Sequence, residues 1–255
     1  MPEKLRSENV NNTFFKGHYK EIWRQIFPEK TTQAETDFIF NDARLKNGDH
    51  ALDLMCGYGR HSFELASKGV NITAVDNSDN YINEITSKVQ ELNLTIESVC
   101  CDLLEFKPEK IYDVAICMGN SLQFFNEEDL SYILENISAQ MRTGGRFYLN
   151  TWSIAEIIYK NFKDKSWSRI NDLLFLTESR ICFQPARMET NSIIISENGE
   201  REEKLGIDYI YSISELEILF NQSGFKLIEV YSIPGKKIFT AGEPRAYFVF
   251  EKNHS

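Results

Sequence analysis

The stretch from His50 to Ser78, HALDLMCGYGRHSFELASKGVNITAVDNS, constrains the fold more than any other part of the chain. A short apolar run from His50 to Met55 ends in Cys56-Gly57-Tyr58-Gly59, a helical pattern begins at Arg60, and a second apolar run closes at Asp76. That order reads as strand, glycine turn, helix, strand. Gly57 and Gly59 permit a sharp turn and let a ligand approach the main chain without interference from a Cβ. The helix start leaves N–H groups unpaired above the turn. Asp76 lies about 20 residues beyond the turn, where such a unit sets an acid against ribose hydroxyls. The stretch predicts a nucleoside pocket.

The glycine spacing narrows the ligand. A dinucleotide fingerprint carries a third glycine, for tight helix packing beside a pyrophosphate. Ser62 occupies that place, and the acidic Asp53 stands just before the turn. A pyrophosphate is disfavoured beside that carboxylate, whereas a phosphate-free ligand bearing an ammonium and a sulfonium is not. In these residues the stretch resembles the class I S-adenosylmethionine-dependent methyltransferases. Their first motif is an acid ending strand one followed by G-x-G, and their second is an acid ending strand two. The form LDLMCGYGRHSFELA with AVDNS is especially similar to the bacterial small-molecule branch with Cys-Gly-x-Gly-Arg-His.

Length allows one α/β domain plus an elaboration: the chain has 255 residues. With a net charge of −10 and no Lys/Arg block, a nucleic-acid substrate is disfavoured. The five cysteines (56, 100, 101, 117, 182) form no C-x-x-C pair, and they read as reduced core thiols of a cytosolic protein. No metal ligand set is expected. The polar start MPEKLRSENVNN has no apolar leader, and no run approaches a membrane span, so a cytoplasmic location is expected.

Around the glycine turn, aromatic and aliphatic residues from Thr13 to Ile26 recur at helical spacing until Pro28, and residues 34–45 form a second amphipathic pattern. The first helix either packs on the main domain or, as the resemblance implies, covers the cofactor, with Tyr19 at its methionine end or at the acceptor. Ser78 to Leu92 reads as a helix with Ser78 as N-cap, and Thr95 to Cys101 as strand three. Asp113 to Met118 is a continuous apolar run expected of a buried parallel strand. Glu127–Met141 reads as a helix and Arg146–Trp152 as strand five. From Ser153 to about Ser212 the alternation stops. Leu173–Phe183, Met188–Ser196 and Glu203–Ser212 read as antiparallel strands, with Asn198-Gly199 as a turn. Ser214–Phe220 is the last helix, and Phe225–Ile233 and Ala246–Glu251 are the last strands.

The fold class expected is α/β: a seven-stranded, mostly parallel, doubly wound sheet whose last strand is antiparallel, plus an inserted small antiparallel β cap. The expected division is 1–45 as an N-terminal helical lid, 46–152 with 213–255 as the Rossmann-like domain, and 153–212 as a cap over the active site. The inserted sheet could equally form a homodimer interface.

The resemblance implies S-adenosyl-L-methionine as cofactor, S-adenosyl-L-homocysteine as product, and a small-molecule methyl acceptor. Its cofactor residues map onto Tyr19, Asp53, Gly57, Gly59, Arg60, Asp76, Asn77, Asp102, Leu103, Met118, Gly119 and Asn120. Asp102 would face the adenine amino group, or simply cap the next turn. Arg60 would reach the methionine carboxylate, or stand as a solvated surface arginine. Phe124, Trp152 and Tyr211 are candidates toward the acceptor, with Phe125 beside Phe124. The donor methyl is already activated by its sulfonium, so the protein chiefly positions the acceptor and excludes water. His18, Tyr19, His61 and Tyr211 are the groups that could serve as a general base, and none is singled out.

The loop after strand four lacks the Pro-Pro-aromatic pattern of base-modifying relatives, which favours a small N or O acceptor over RNA or protein. A reductase reading rests on Tyr159-x-x-x-Lys163 and fails on the missing upstream serine and the glycine pattern. A non-catalytic S-adenosylmethionine-binding protein is the remaining alternative.

Overall fold

The computed structural model describes residues 9–253. The chain divides into two compact units. Phe27–Phe162 with the residues from Tyr211 onward form the larger, and the residues up to Ile26 with Lys163–Ile210 form the smaller. The helices in chain order are α1 (Tyr19–Ile26), α2 (Glu29–Asp42), α3 (Arg60–Ser67), α4 (Asp79–Leu92), α5 (Glu127–Ala139), α6 (Ala155–Asn161) and α7 (Ile213–Gln222). The strands are β1 (His50–Leu54), β2 (Asn71–Asp76), β3 (Ile96–Cys100), β4 (Tyr112–Met118), β5 (Met141–Thr151), β6 (Lys165–Ile170), β7 (Leu173–Phe183), β8 (Ala186–Ile195), β9 (Arg201–Tyr209), β10 (Phe225–Ile233), β11 (Lys237–Ile238) and β12 (Ala246–Lys252).

The larger unit is built on a sheet in the order β11-β10-β12-β5-β4-β1-β2-β3. Strands β1 to β5 run parallel, and β12 is antiparallel to both β5 and β10. Apart from the two-residue edge strand β11, this is the seven-stranded sheet that the sequence predicts. Its central strands are mainly apolar because helices cover both faces; Leu52, Leu54, Ala115, Ile116 and Cys117 are fully buried. Strand β1 lies between β2 and β4, so the winding reverses there. The carboxyl ends of β1 and β4 flank that switch point, where open α/β sheets bind ligands.

Several expected boundaries move. The helix expected over 13–26 is interrupted: Val10–Thr13 is a 3-10 turn, Gly17 adopts φ 66°, and α1 begins at Tyr19. A Cβ at residue 17 would collide with the Glu202 carboxylate, which accepts the His18 N–H at 3.1 Å. Phe14 and Phe15 therefore precede α1, yet both rings still pack edge-on against Tyr19, with centroids 4.4 and 5.2 Å from its ring respectively. Helix α2 begins at Glu29 rather than at residue 34, directly after Pro28 in an extended conformation at the N-cap. It groups with the larger unit, so the expected 1–45 segment divides at Ile26. Residues 1–8 of that segment lie outside the described residues.

The smaller unit holds a four-stranded antiparallel sheet in the order β6-β7-β8-β9. Strand β7 has the expected bounds, while β8 and β9 each begin two residues earlier than expected. Strand β6 and helix α6 were not expected from the pattern. Five of the six residues of β6 are exposed, so it is an edge strand with no apolar alternation to betray it. Ile22, Leu173 and Ile194 form the unit's buried core, with Tyr19, Ile170 and Phe175 packed against it.

Cys56 and Cys117 are buried as expected, but Cys100 is exposed, and Cys101 and Cys182 are half-buried. Cys100 ends β3, the edge strand of the large sheet, which leaves it uncovered. No helix among the described residues is long and apolar enough to cross a membrane.

Candidate functional site

The turn between β1 and α3 places three left-handed residues within five positions: Met55 (φ 53°), Gly57 (φ 55°) and Gly59 (φ 79°). The two glycines have different roles. A Cβ on Gly59 would meet Ile85 and Phe63 at 3.0 to 3.1 Å, so its absence lets the start of α3 pack closely. A Cβ on Gly57 would meet nothing within 4 Å, so that position faces open space.

Asp76, at the end of β2, ties this turn to the next. Its carboxylate accepts the Gly57 N–H at 2.8 Å and the Ser78 N–H at 2.9 Å. Burial raises the Asp76 pKa, and these backbone N–H groups partly oppose the rise. Asp53 is buried beneath the turn and accepts the Ser62 hydroxyl at 2.6 Å. The serine standing where a dinucleotide site has glycine thus holds the acid of the first motif. Burial pushes Asp53 up to about 7, against the opposing pull of Ser62 and Arg60.

Arg60 is neither solvated nor on the surface: its side chain is 8% exposed. Its Nη1 donates to Glu35 at 2.7 Å and to Thr32 at 2.9 Å, and its Nη2 is buried without a hydrogen-bond partner among the described residues. Glu35, 1% exposed, also meets His61 Nε2 at 2.8 Å and accepts the Tyr247 hydroxyl at 2.8 Å. Burial works to raise the Glu35 carboxyl, but His61 and Arg60 outweigh it and hold it at about 2. Burial, followed by the Arg60 charge, lowers His61 to about 4. His61 is therefore neutral near pH 7 and a weak base, with its Nε2 already engaged by Glu35. Glu35 escapes a reading of motifs. Its one signal is that it shares the inner face of α2 with Thr32, Thr36 and Ile39, a stripe too polar for an ordinary core contact.

Beyond β4, Gly119 (φ 116°) and Asn120 (φ 74°) turn the chain back toward β5. Asn120 is expected to touch cofactor or acceptor, but its side chain is engaged in the framework. Its Oδ1 accepts from Thr151 Oγ1 (2.8 Å), Trp152 N (2.9 Å) and Ser153 N (2.9 Å), and its Nδ2 donates to Ser153 Oγ at 2.9 Å. Tyr211, expected toward the acceptor, is buried, and its hydroxyl donates to the Phe125 carbonyl at 2.9 Å. Asp102 caps its own turn, accepting the Leu104 N–H at 2.9 Å.

Leu103 and Met118 are buried, Asn77 is exposed, and Phe124 and Trp152 are half-buried. The larger unit holds every expected site residue except Tyr19, which belongs to the smaller unit. His18, also in the smaller unit, lines a cleft of about 510 Å³ with Glu21, Asp172, Glu197 and Glu200. Among the described residues, no cluster of His, Cys, Asp and Glu could hold a metal ion.

Residues 51–145 match the family model described as a methyltransferase domain. A ubiquinone biosynthesis O-methyltransferase of Coxiella burnetii is 29% identical over 134 residues, 49% of this chain and 53% of that protein. A glycine/sarcosine N-methyltransferase of Aphanothece halophytica is 23% identical over 163 residues, 62% of this chain and 61% of that protein. The chain thus spans about half to three-fifths of the length of these curated relatives. Among solved structures, the CcbJ methyltransferase of Streptomyces caelestis superimposes with a TM-score of 0.82 at 18% identity, covering 97% of this chain and 100% of that one. An S-adenosylmethionine-dependent methyltransferase of Clostridium acetobutylicum gives 0.80 at 18% identity, covering 95% and 99%. At these identities the superpositions establish the fold. The glycine turn and the switch point both lie within the residues that match the methyltransferase-domain model, and the fold is the one shared by these methyltransferase structures.

Proposed function

We propose that this chain transfers the methyl group of S-adenosyl-L-methionine to a nitrogen or oxygen of a small molecule. One observation carries the reading: Arg60, at the start of α3 beside the open Gly57 turn, keeps a buried Nη2 that no described residue satisfies. A buried unpaired donor on a cation is costly, and the donor's carboxylate would relieve it. Asp76 keeps lone pairs for ribose hydroxyls after serving Gly57 and Ser78, and the residues around Asp102 and Leu103 would take the adenine. When bound, the cofactor supplies a methyl group activated by a positively charged sulfur. The chain's own residues bind, orient and exclude water. The neutral, lowered His61 and the engaged Tyr211 support a mechanism that works by positioning, without a dedicated base among them.

The curated relatives include an O- and an N-methyltransferase of small molecules, which supports that acceptor class. The net charge of −10 argues against a polyanionic acceptor. The test is turnover: protein with methyl-labelled cofactor and a small-molecule extract should release S-adenosylhomocysteine and label a product below about 1 kDa. Label recovered only in RNA or protein would reject the small-molecule acceptor, and no turnover with cofactor bound would favour a non-catalytic binder.

A further inference from the structure

Phe27 carries two guanidinium groups. The Arg60 guanidinium carbon lies 4.5 Å from its ring centroid and that of Arg245 4.9 Å, and Arg245 is also 5.6 Å from the Trp152 ring. Like charges gathered on one ring repel each other. The carboxylate of this cluster is Glu35, and Arg60, His61 and Tyr247 already engage both its oxygens. His61 is neutral near pH 7. Glu35 is thus committed to those three partners, and Arg60 is in addition the proposed contact of the donor's carboxylate. Among the described residues no carboxylate forms an ion pair with Arg245, whose contacts are these two rings and the Tyr247 side chain.

The position of the Arg245 charge is informative. Ala246 pairs with Thr151 across β12 and β5, so Arg245 and Trp152 stand opposite one another just past the carboxyl end of β5. Asn120 pins that corner through the Trp152 and Ser153 N–H groups. This is the edge of the sheet at which ligands of such folds sit. Arg60 has its own role there, with Nη1 committed to Glu35 and Nη2 the proposed contact of the donor.

We infer that Arg245, flanked by Trp152 and Phe27, receives a carboxylate of the methyl acceptor, and hence that the acceptor is a small carboxylic acid. The inference rests on the methyl-transfer reading above. A planar guanidinium matches a carboxylate through two parallel hydrogen bonds. A single carboxylate would match the Arg245 charge one for one, whereas the dianion of a phosphate monoester would leave a negative charge over. The two aromatic rings exclude water around the pair and strengthen it.

The test is calorimetric titration of benzoate and glycine, each beside its amide, into protein saturated with S-adenosylhomocysteine. Wild type, Arg245→Gln and Arg245→Lys are compared. The expected result is that a carboxylate binds and its amide does not, with carboxylate affinity at least about tenfold weaker in Arg245→Gln and partly kept in Arg245→Lys. S-adenosylhomocysteine binding by each variant shows that its donor site is intact. Amides that bind as well as acids, absence of binding by both acids, or acid binding undiminished in Arg245→Gln overturns the inference while the donor site stands. Failure of S-adenosylhomocysteine to bind wild type overturns the donor reading, and this inference with it. Should Arg245→Gln fail to fold, the wild-type preference for acid over amide decides.

Discussion

Asp53 and His61 impose opposite pH dependences on the same fold. Asp53 moves from 3.8 to about 7, so between these values the folded chain binds more protons and stability falls as pH rises. His61 moves from 6.5 to about 4, so there the unfolded chain binds more protons and stability falls as pH drops. The two slopes oppose each other across pH 4 to 6.5. Replacing Asp53 with Asn should unmask the histidine: the urea midpoint of the variant should decline as pH falls from 6.5 to 4 more steeply than that of wild type, and parallel profiles would contradict this. Glu35→Gln is a harsher change, because it leaves Arg60 buried without its anion. It should lose about 3–5 kcal/mol of stability and weaken S-adenosylhomocysteine binding; an unchanged melting temperature would show that the ion pair is idle. Asp53, Gly57, Gly59 and Asp76 were legible because one short motif holds them all. Glu35 was not, because its partners Arg60, His61 and Tyr247 lie 25, 26 and 212 residues away in the chain. The hydrogen bonds of Asn120 and Tyr211 were not legible for the same reason: each polar tip meets backbone that only the folded chain brings near.

At the scale of elements, the glycine turn makes separable predictions. Both Gly57→Ala and Gly59→Ala place a side chain in left-handed backbone, at roughly 1–2 kcal/mol each. Gly59→Ala adds a clash with Ile85 and Phe63, so it should be the more destabilising in a thermal melt. Gly57→Ala faces open space, so it should lose more cofactor affinity than stability. A reversed order would assign the two glycines the wrong roles. The parallel strands were readable as apolar runs because both their faces are covered, and β7 because its length exceeds any turn. Strand β6 was not, since an exposed edge strand of mainly polar residues carries no periodicity. The N-terminal helix was read too long because Phe14 and Phe15 keep helical spacing while Gly17 breaks the backbone.

For the molecule as a whole, a net charge of −10 and the α/β alternation were legible from composition and order. The division into units was only partly so, because α2 continues the amphipathic pattern of the N-terminus yet groups with the larger unit. Ligand binding should be felt unevenly. Saturation with S-adenosylhomocysteine at a hundredfold its Kd should stabilise the protein by about 2.7 kcal/mol, with amide-exchange protection greatest across β1, α3 and β2. Protection centred on β6 to β9 instead would place the donor site in the wrong unit. The central claim is that the Gly57 turn, Asp76 and Arg60 bind S-adenosylmethionine. Its most direct test is calorimetric titration of S-adenosylmethionine, S-adenosylhomocysteine and NADH into wild type and Asp76→Ala. Binding of the first two alone, strongly weakened in Asp76→Ala, is the predicted result; binding of NADH alone, or an Asp76→Ala variant that binds as wild type does, would contradict it.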